Sequence, residues 1–221
     1  MCFAGYCLLL LHNRARFGDA MFLQREPSID GDWVECESTR SKTSSRNPAK
    51  QLLPLAGLST GLSGAPWAEA WLEARKAYGL RAGPGNPTMP SPSVAGWSAN
   101  PLSASEATVW LREILTGASM TKEAVASVGT HSLRVTLLSW CAKAGISLGH
   151  RRLLGQHIKA GACSVITYSR DALAQPLEEL RQVVLKARSG VFRPDETRSG
   201  RWYNDEANPG GCAIAPHMGL G

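Results

Sequence analysis

The sequence predicts one mainly α-helical domain with a small β-hairpin over residues 1–188, followed by a disordered tail over residues 189–221. Three observations lead to that class. Leu133, Leu137, Trp140, Cys141 and Ala144 share one side of a helix that Gly145 ends. Asp32 to Glu37 and Lys50 to Leu55 read as two strands flanking a polar, turn-forming stretch. From Ser189 onward glycine, proline and charge dominate, a composition that cannot bury a core.

Cys2 to Leu11 is almost entirely apolar, which predicts a buried helix. The run is far shorter than the roughly 20 residues a membrane span requires. Its positive charges, Arg14 and Arg16, follow it rather than precede it, opposite to a secretory leader. In the hairpin, Pro54 places the returning strand at a sheet edge or ends it, because proline cannot donate to a ladder. The hairpin tip is basic, with Arg40, Lys42 and Arg46. Residues 57–66 read as a loop. Trp67 to Tyr78 reads as a helix with Trp67, Trp71 and Ala74 on one side. Residues 81–100 contain Gly-Pro-Gly and several further prolines without periodicity, and are expected to be a long loop. Ser103 and Glu106 form a capping box that opens a helix to about Leu115. A short helix over 121–127, the regular helix from Thr130 or His131, a short helix over 147–154 and an amphipathic helix over 171–188 complete the domain.

The 221 residues are 43% hydrophobic and 19% charged, which excludes an acidic disordered chain and a membrane protein. Lys and Arg exceed Asp and Glu by 24 to 18, giving a net charge of +6 and a pI near 9.2. That excess favours a polyanionic partner. None of the six cysteines forms a Cys-x-x-Cys pair, and no Cys/His cluster has zinc spacing, so reduced structural thiols in an intracellular protein are expected.

On the regular helix His131 and Arg134 stand one turn apart, at the rim of the apolar stripe and near the helix N-terminus. Free N–H groups there add positive charge, so this is a candidate anion site. The plainer alternative is a capped helix with two solvated polar residues.

The motifs around it extend the reading. GTHSLRVT over 129–136 is followed by LLGQH over 153–157 and SVITYSRD over 164–171, with RARFGD upstream over 14–19 and the basic SKTS over 41–44. This ordered set resembles the catalytic domain of the tyrosine recombinases, the phage integrase family, and is similar to the divergent members carried by eukaryotic mobile elements. The resemblance covers roughly residues 8–185. It implies six catalytic residues: Arg16 as the first arginine, with Asp19 as the acidic residue three positions on; Lys42 as the lysine on the hairpin tip; His131 and Arg134 as the His-x-x-Arg pair; His157 as the second histidine; and Tyr168 as the nucleophile. Many members have histidine directly after Leu-Gly, where this chain has Gln156, and the step from His157 to Tyr168 is longer than usual. Arg40 and Arg46 compete with Lys42 for the lysine's place, and Tyr6, Tyr78 and Tyr203 are the other tyrosines.

The residue types suit the implied chemistry. Two guanidiniums hold phosphate oxygens bidentately as charge develops on them. A tyrosine hydroxyl with a pKa near 10 needs a base or a positive field in order to attack. His131 is the base, His157 donates to a phosphate oxygen, and Lys42 protonates the leaving 5′ oxygen. The resemblance implies a 3′-phosphotyrosine intermediate in DNA recombination or integration, without metal or other cofactor. The implied partner is double-stranded DNA, with self-association on it and no membrane, in an intracellular place with DNA, which is nuclear in a eukaryotic host. Members grip DNA with a separate helical domain before the catalytic one. Only 15 residues precede Arg16, so the chain is expected to be N-terminally truncated. The alternatives are a degenerate, catalytically inactive DNA-binding fragment of a recombinase, a type IB topoisomerase, and a basic helical module with no DNA role.

Overall fold

In the computed structural model, which describes residues 1–39, 53–156 and 170–203, the chain is mainly helical with small antiparallel sheets. Helix α1 (Cys2–His12) leads into a single turn, α2 (Phe17–Ala20). Strands β1 (Ser28–Asp30), β2 (Trp33–Ser38) and β3 (Leu53–Leu58) follow, then helix α3 (Trp67–Ala77). A hairpin of β4 (Pro90–Ser93) and β5 (Gly96–Pro101) precedes helices α4 (Ala104–Gly117), α5 (Lys122–Ala126), α6 (Thr130–Lys143) and α7 (Leu148–Leu154). A 3-10 turn at Arg170–Leu173 opens helix α8 (Ala174–Arg188), and a short hairpin of β6 (Phe192–Arg193) and β7 (Arg201–Trp202) ends the described chain.

The apolar first run is buried on nearly all sides, as a helix without a polar face must be. Tyr6, Leu9 and Leu10 are fully enclosed. α1 packs against α3 and α6, with further contacts to β3 and α4. Gly57 of β3 permits one of these approaches: a Cβ there would stand 2.6 Å from the carbonyl carbon of His12. The sheet order is β1-β2-β3, all antiparallel, with Glu37 opposite Pro54. Pro54 therefore sits on an edge strand, where its missing donor leaves no gap in the ladder.

Two apolar clusters form the core. The larger joins α1, α2, β2, α3 and α4; the smaller joins α6, α7, α8, Leu58 and Phe192. The end of α6 is set by Gly145, whose φ of +84° lets its N–H reach Ala142 and the next N–H reach Cys141.

Two expectations are corrected. Residues 81–100 are not one long loop: β4 and β5 pair across a tight turn at Val94 and Ala95, with Ser93 opposite Gly96. Both strands are largely exposed, so no buried face imposes an alternating pattern on the sequence. The tail is not disordered from Ser189. Phe192 is fully buried in the smaller core, and Trp202 stacks on it with centroids 4.4 Å apart. Trp140 donates its indole N–H to Asp195, and the Lys143 ammonium donates to the Pro194 carbonyl at 2.6 Å. These anchors are single residues spread over a dozen positions, and each strand is two residues long. No window of the sequence carries a period there.

Candidate functional site

The site is built where the chain leaves α1. Arg14 adopts a left-handed φ of +51°, which reverses the chain between α1 and α2. Its side chain turns inward and is almost fully buried. The guanidinium donates to the carbonyls of His12, of Ala56 in β3 (2.9 Å) and of Leu154 at the end of α7 (3.1 Å). Burial, with Arg134 nearby, pushes Arg14 down to about 10, so it stays charged at neutral pH.

Arg16 lies two residues on, in extended backbone at the start of α2. It points outward, with its side chain 37% exposed, and pairs at 3.2 Å with the buried carboxylate of Asp19 one turn later.

α6 supplies the second half. Gly129 enters it in extended conformation and donates its N–H to the Ser132 hydroxyl at 3.1 Å. His131 lies on the exposed side of the first turn. Arg134 does not lie at the rim as its spacing suggests: it is on the buried face, 2% exposed. It donates to the Arg14 carbonyl at 2.7 Å and to the Gly155 carbonyl, with a longer contact of 3.4 Å to the Gln156 side chain. Burial, then the neighbouring Arg16 charge, pushes Arg134 below the ordinary arginine range, with Asp19 acting against them. Arg16, Asp19 and Arg134 are thus within electrostatic reach of one another. Gln156, at φ +57°, bridges from Arg134 to the Asn13 carbonyl at 3.4 Å.

Of the six predicted residues, Arg16 lies within electrostatic reach of Arg134, with Arg16 pairing with Asp19 and Arg134 with backbone carbonyls, and His131 lies on the exposed side of the helix that carries Arg134. Lys42, His157 and Tyr168 lie outside the described residues, as do Arg40 and Arg46. The other tyrosines have clear positions. Tyr6 is fully buried, donates its hydroxyl to the Phe17 carbonyl at 3.0 Å, and is pushed well above its ordinary pKa by burial. Tyr78 follows α3 on the surface, and Tyr203 donates to Glu196 at 2.7 Å. His150 is half-buried against Glu179 at 2.9 Å, so it faces a carboxylate rather than open solvent.

Arg14 was missed in the sequence. Arg14 and Arg16 flank a single alanine, and nothing local shows which one turns inward. Among the described residues no cluster of metal-binding side chains occurs, and no helix is long and apolar enough to cross a membrane. What the arrangement offers chemically is a cationic corner: two buried guanidiniums and one half-exposed guanidinium, balanced by one carboxylate. No family profile, curated protein or solved structure matches this chain.

Proposed function

We propose that the chain is a tyrosine-recombinase-like catalytic domain that cleaves and rejoins duplex DNA through a 3′-phosphotyrosine intermediate. The observation that supports this reading is that the Arg16–Asp19 ion pair lies within electrostatic reach of Arg134, from the opposite half of the chain, on the helix that carries His131. In this reading the Tyr168 oxygen attacks the phosphorus and gives its proton to His131. The 5′ oxygen leaves and takes a proton from Lys42. Arg16 and Arg134 stabilise the charge on the non-bridging oxygens, and His157 donates to one of them. Duplex DNA is the partner, the protein self-associates on it, and it resides with DNA, in the nucleus of a eukaryotic host.

A second reading is favoured by one observation. The Arg134 guanidinium is buried on backbone carbonyls, as a purely structural arginine would be. That suits a catalytically inactive DNA-binding fragment of a recombinase. An assay for covalent adducts on a nicked suicide duplex, with a DNA-clamping domain supplied in trans, separates the two. The first reading expects an adduct that Tyr168→Phe abolishes while binding stays within about twofold. An adduct that survives Tyr168→Phe removes Tyr168 from the mechanism. Duplex binding without any adduct establishes the second reading.

A further inference from the structure

We infer that the outer face of the β6–β7 hairpin is a contact surface for the phosphate backbone of duplex DNA, separate from the corner of Arg16 and Arg134. The inference rests on the reading of the chain as a DNA-processing domain, and it gives that domain a further grip on its substrate.

The hairpin places Arg193 directly opposite Arg201 in antiparallel register. Directly opposed residues project to the same face, and like charges in that relation repel. Both side chains are more than half exposed, at 59% and 53%. A single carboxylate, Glu196, serves both guanidiniums, lying 3.6 Å from Arg193 and hydrogen-bonded to Arg201. Tyr203 adds its hydroxyl to that same carboxylate at 2.7 Å, and the Arg193 guanidinium lies 4.7 Å over the Tyr203 ring. Two cations are therefore held in place by one anion and one ring, and one positive charge is left uncompensated.

The surroundings add to the excess. Residues 186–203 contain the cations Lys186, Arg188, Arg193, Arg198 and Arg201 against two carboxylates. One of those carboxylates, Asp195, is 70% exposed but is already engaged by the Trp140 indole N–H and the Lys143 ammonium. Lys186 lies 5.3 Å from the centre of the Trp202 ring.

A phosphodiester is the ligand this arrangement fits. The planar fork of arginine matches two phosphate oxygens, and neighbouring guanidiniums on one pleat face suit successive phosphates. The hairpin is already fastened to the core by Phe192 and by the Asp195 and Pro194 bonds, so little ordering is required on contact. An acidic ligand would also relieve the repulsion that the Arg193–Arg201 pairing builds in.

The test uses the full chain and a fluorescently labelled duplex, with anisotropy titrations over a series of potassium chloride concentrations. The double variant Arg193→Gln/Arg201→Gln is expected to bind more weakly, with a log K against log salt slope shallower by about 2, since each lost phosphate contact removes roughly 0.9. A control with the same charge change at the exposed Lys76 and Arg81 is expected to keep more of the slope. Glu196→Gln is expected to tighten binding severalfold. An unchanged slope in the double variant overturns the inference. If circular dichroism shows that variant misfolded, unchanged affinity in Glu196→Gln overturns it instead. Absence of duplex binding, or preference for phosphatidylserine vesicles over duplex, also overturns it. A slope that falls as expected while no Tyr168 adduct forms sinks only the strand-cleavage reading, and an adduct with an unaltered slope sinks only the hairpin surface.

Discussion

Arg134 donates a hydrogen bond at 2.7 Å to the backbone carbonyl of Arg14, a residue 120 positions earlier whose own side chain is buried beside it. The two arginines form a polar seam between the two apolar clusters, one contributing its carbonyl and the other its guanidinium. Arg14 also ties α1 to β3 and α7, so displacing either arginine loosens several elements at once.

The seam gives Arg16 and Arg134 different signatures. Arg134→Ala strands the carbonyls of Arg14 and Gly155, and hydrogen bonds to a charged group are worth about 1.5–3 kcal/mol each. It is expected to lower stability by about 3 kcal/mol or more in urea denaturation. Arg16→Gln removes one half-exposed ion pair and is expected to cost about 1 kcal/mol at most. In a chain active on a suicide duplex, Arg16→Gln is expected to slow adduct formation by about 10²-fold. Equal stability losses in the two variants would refute the division of labour.

His12 makes stability depend on acidity. It is buried against Trp67, with ring centroids 5.3 Å apart, and burial pushes it down to about 4, helped by Arg14 and Arg188. In the unfolded chain a histidine titrates near 6.5. As the pH falls below about 6.5 the unfolded state takes up its proton first, so the contribution is complete above that value and lost progressively down to about 4. The loss is of order 3 kcal/mol. His12→Phe keeps a ring on Trp67 and removes the titration. The difference in unfolding free energy between the two proteins is expected to change between pH 7.5 and 4.5; a constant difference would refute the assignment.

Phe192 tests the corrected C-terminal boundary. Phe192→Ala empties a fully buried ring position and is expected to destabilise by about 3–5 kcal/mol. Truncation after Arg188 removes the same ring together with the Asp195 and Pro194 bonds, and is expected to cost at least as much. A truncated chain with an unchanged melting temperature would mean that residues 189–203 contribute nothing to the core.

What was legible in the sequence is what local chemistry decides. Ser103 and Glu106 form the capping box read from their spacing: the Glu106 N–H reaches the Ser103 hydroxyl at 3.2 Å, and the Ser103 N–H reaches the Glu106 carboxylate at 3.1 Å. Both partners lie within one turn, so no other part of the chain is needed. The apolar α1 and the Gly145 stop were readable for the same reason. Arg134 was legible as a candidate but not as a buried group, because its acceptors come from Arg14 and Gly155, which only the fold brings near. The β4–β5 and β6–β7 hairpins were not legible. Their strands are short, and the one deep anchor, Phe192, is a single residue among glycine, proline and charge. The electrostatic proximity of Arg16 to Arg134 accords with the order of motifs, but the inward turn of Arg14 has no local signature.

The dependence of α1 on α6 has a temporal side. α1 is synthesised well before α6 and is apolar all round, yet α6, one of the helices that covers it, ends only at Lys143. At roughly 5–20 residues per second, the ribosome leaves that helix incompletely covered for on the order of ten seconds. During that interval the nascent chain exposes a greasy segment, which makes it a natural client for holding chaperones and a point from which aggregation starts when they are scarce.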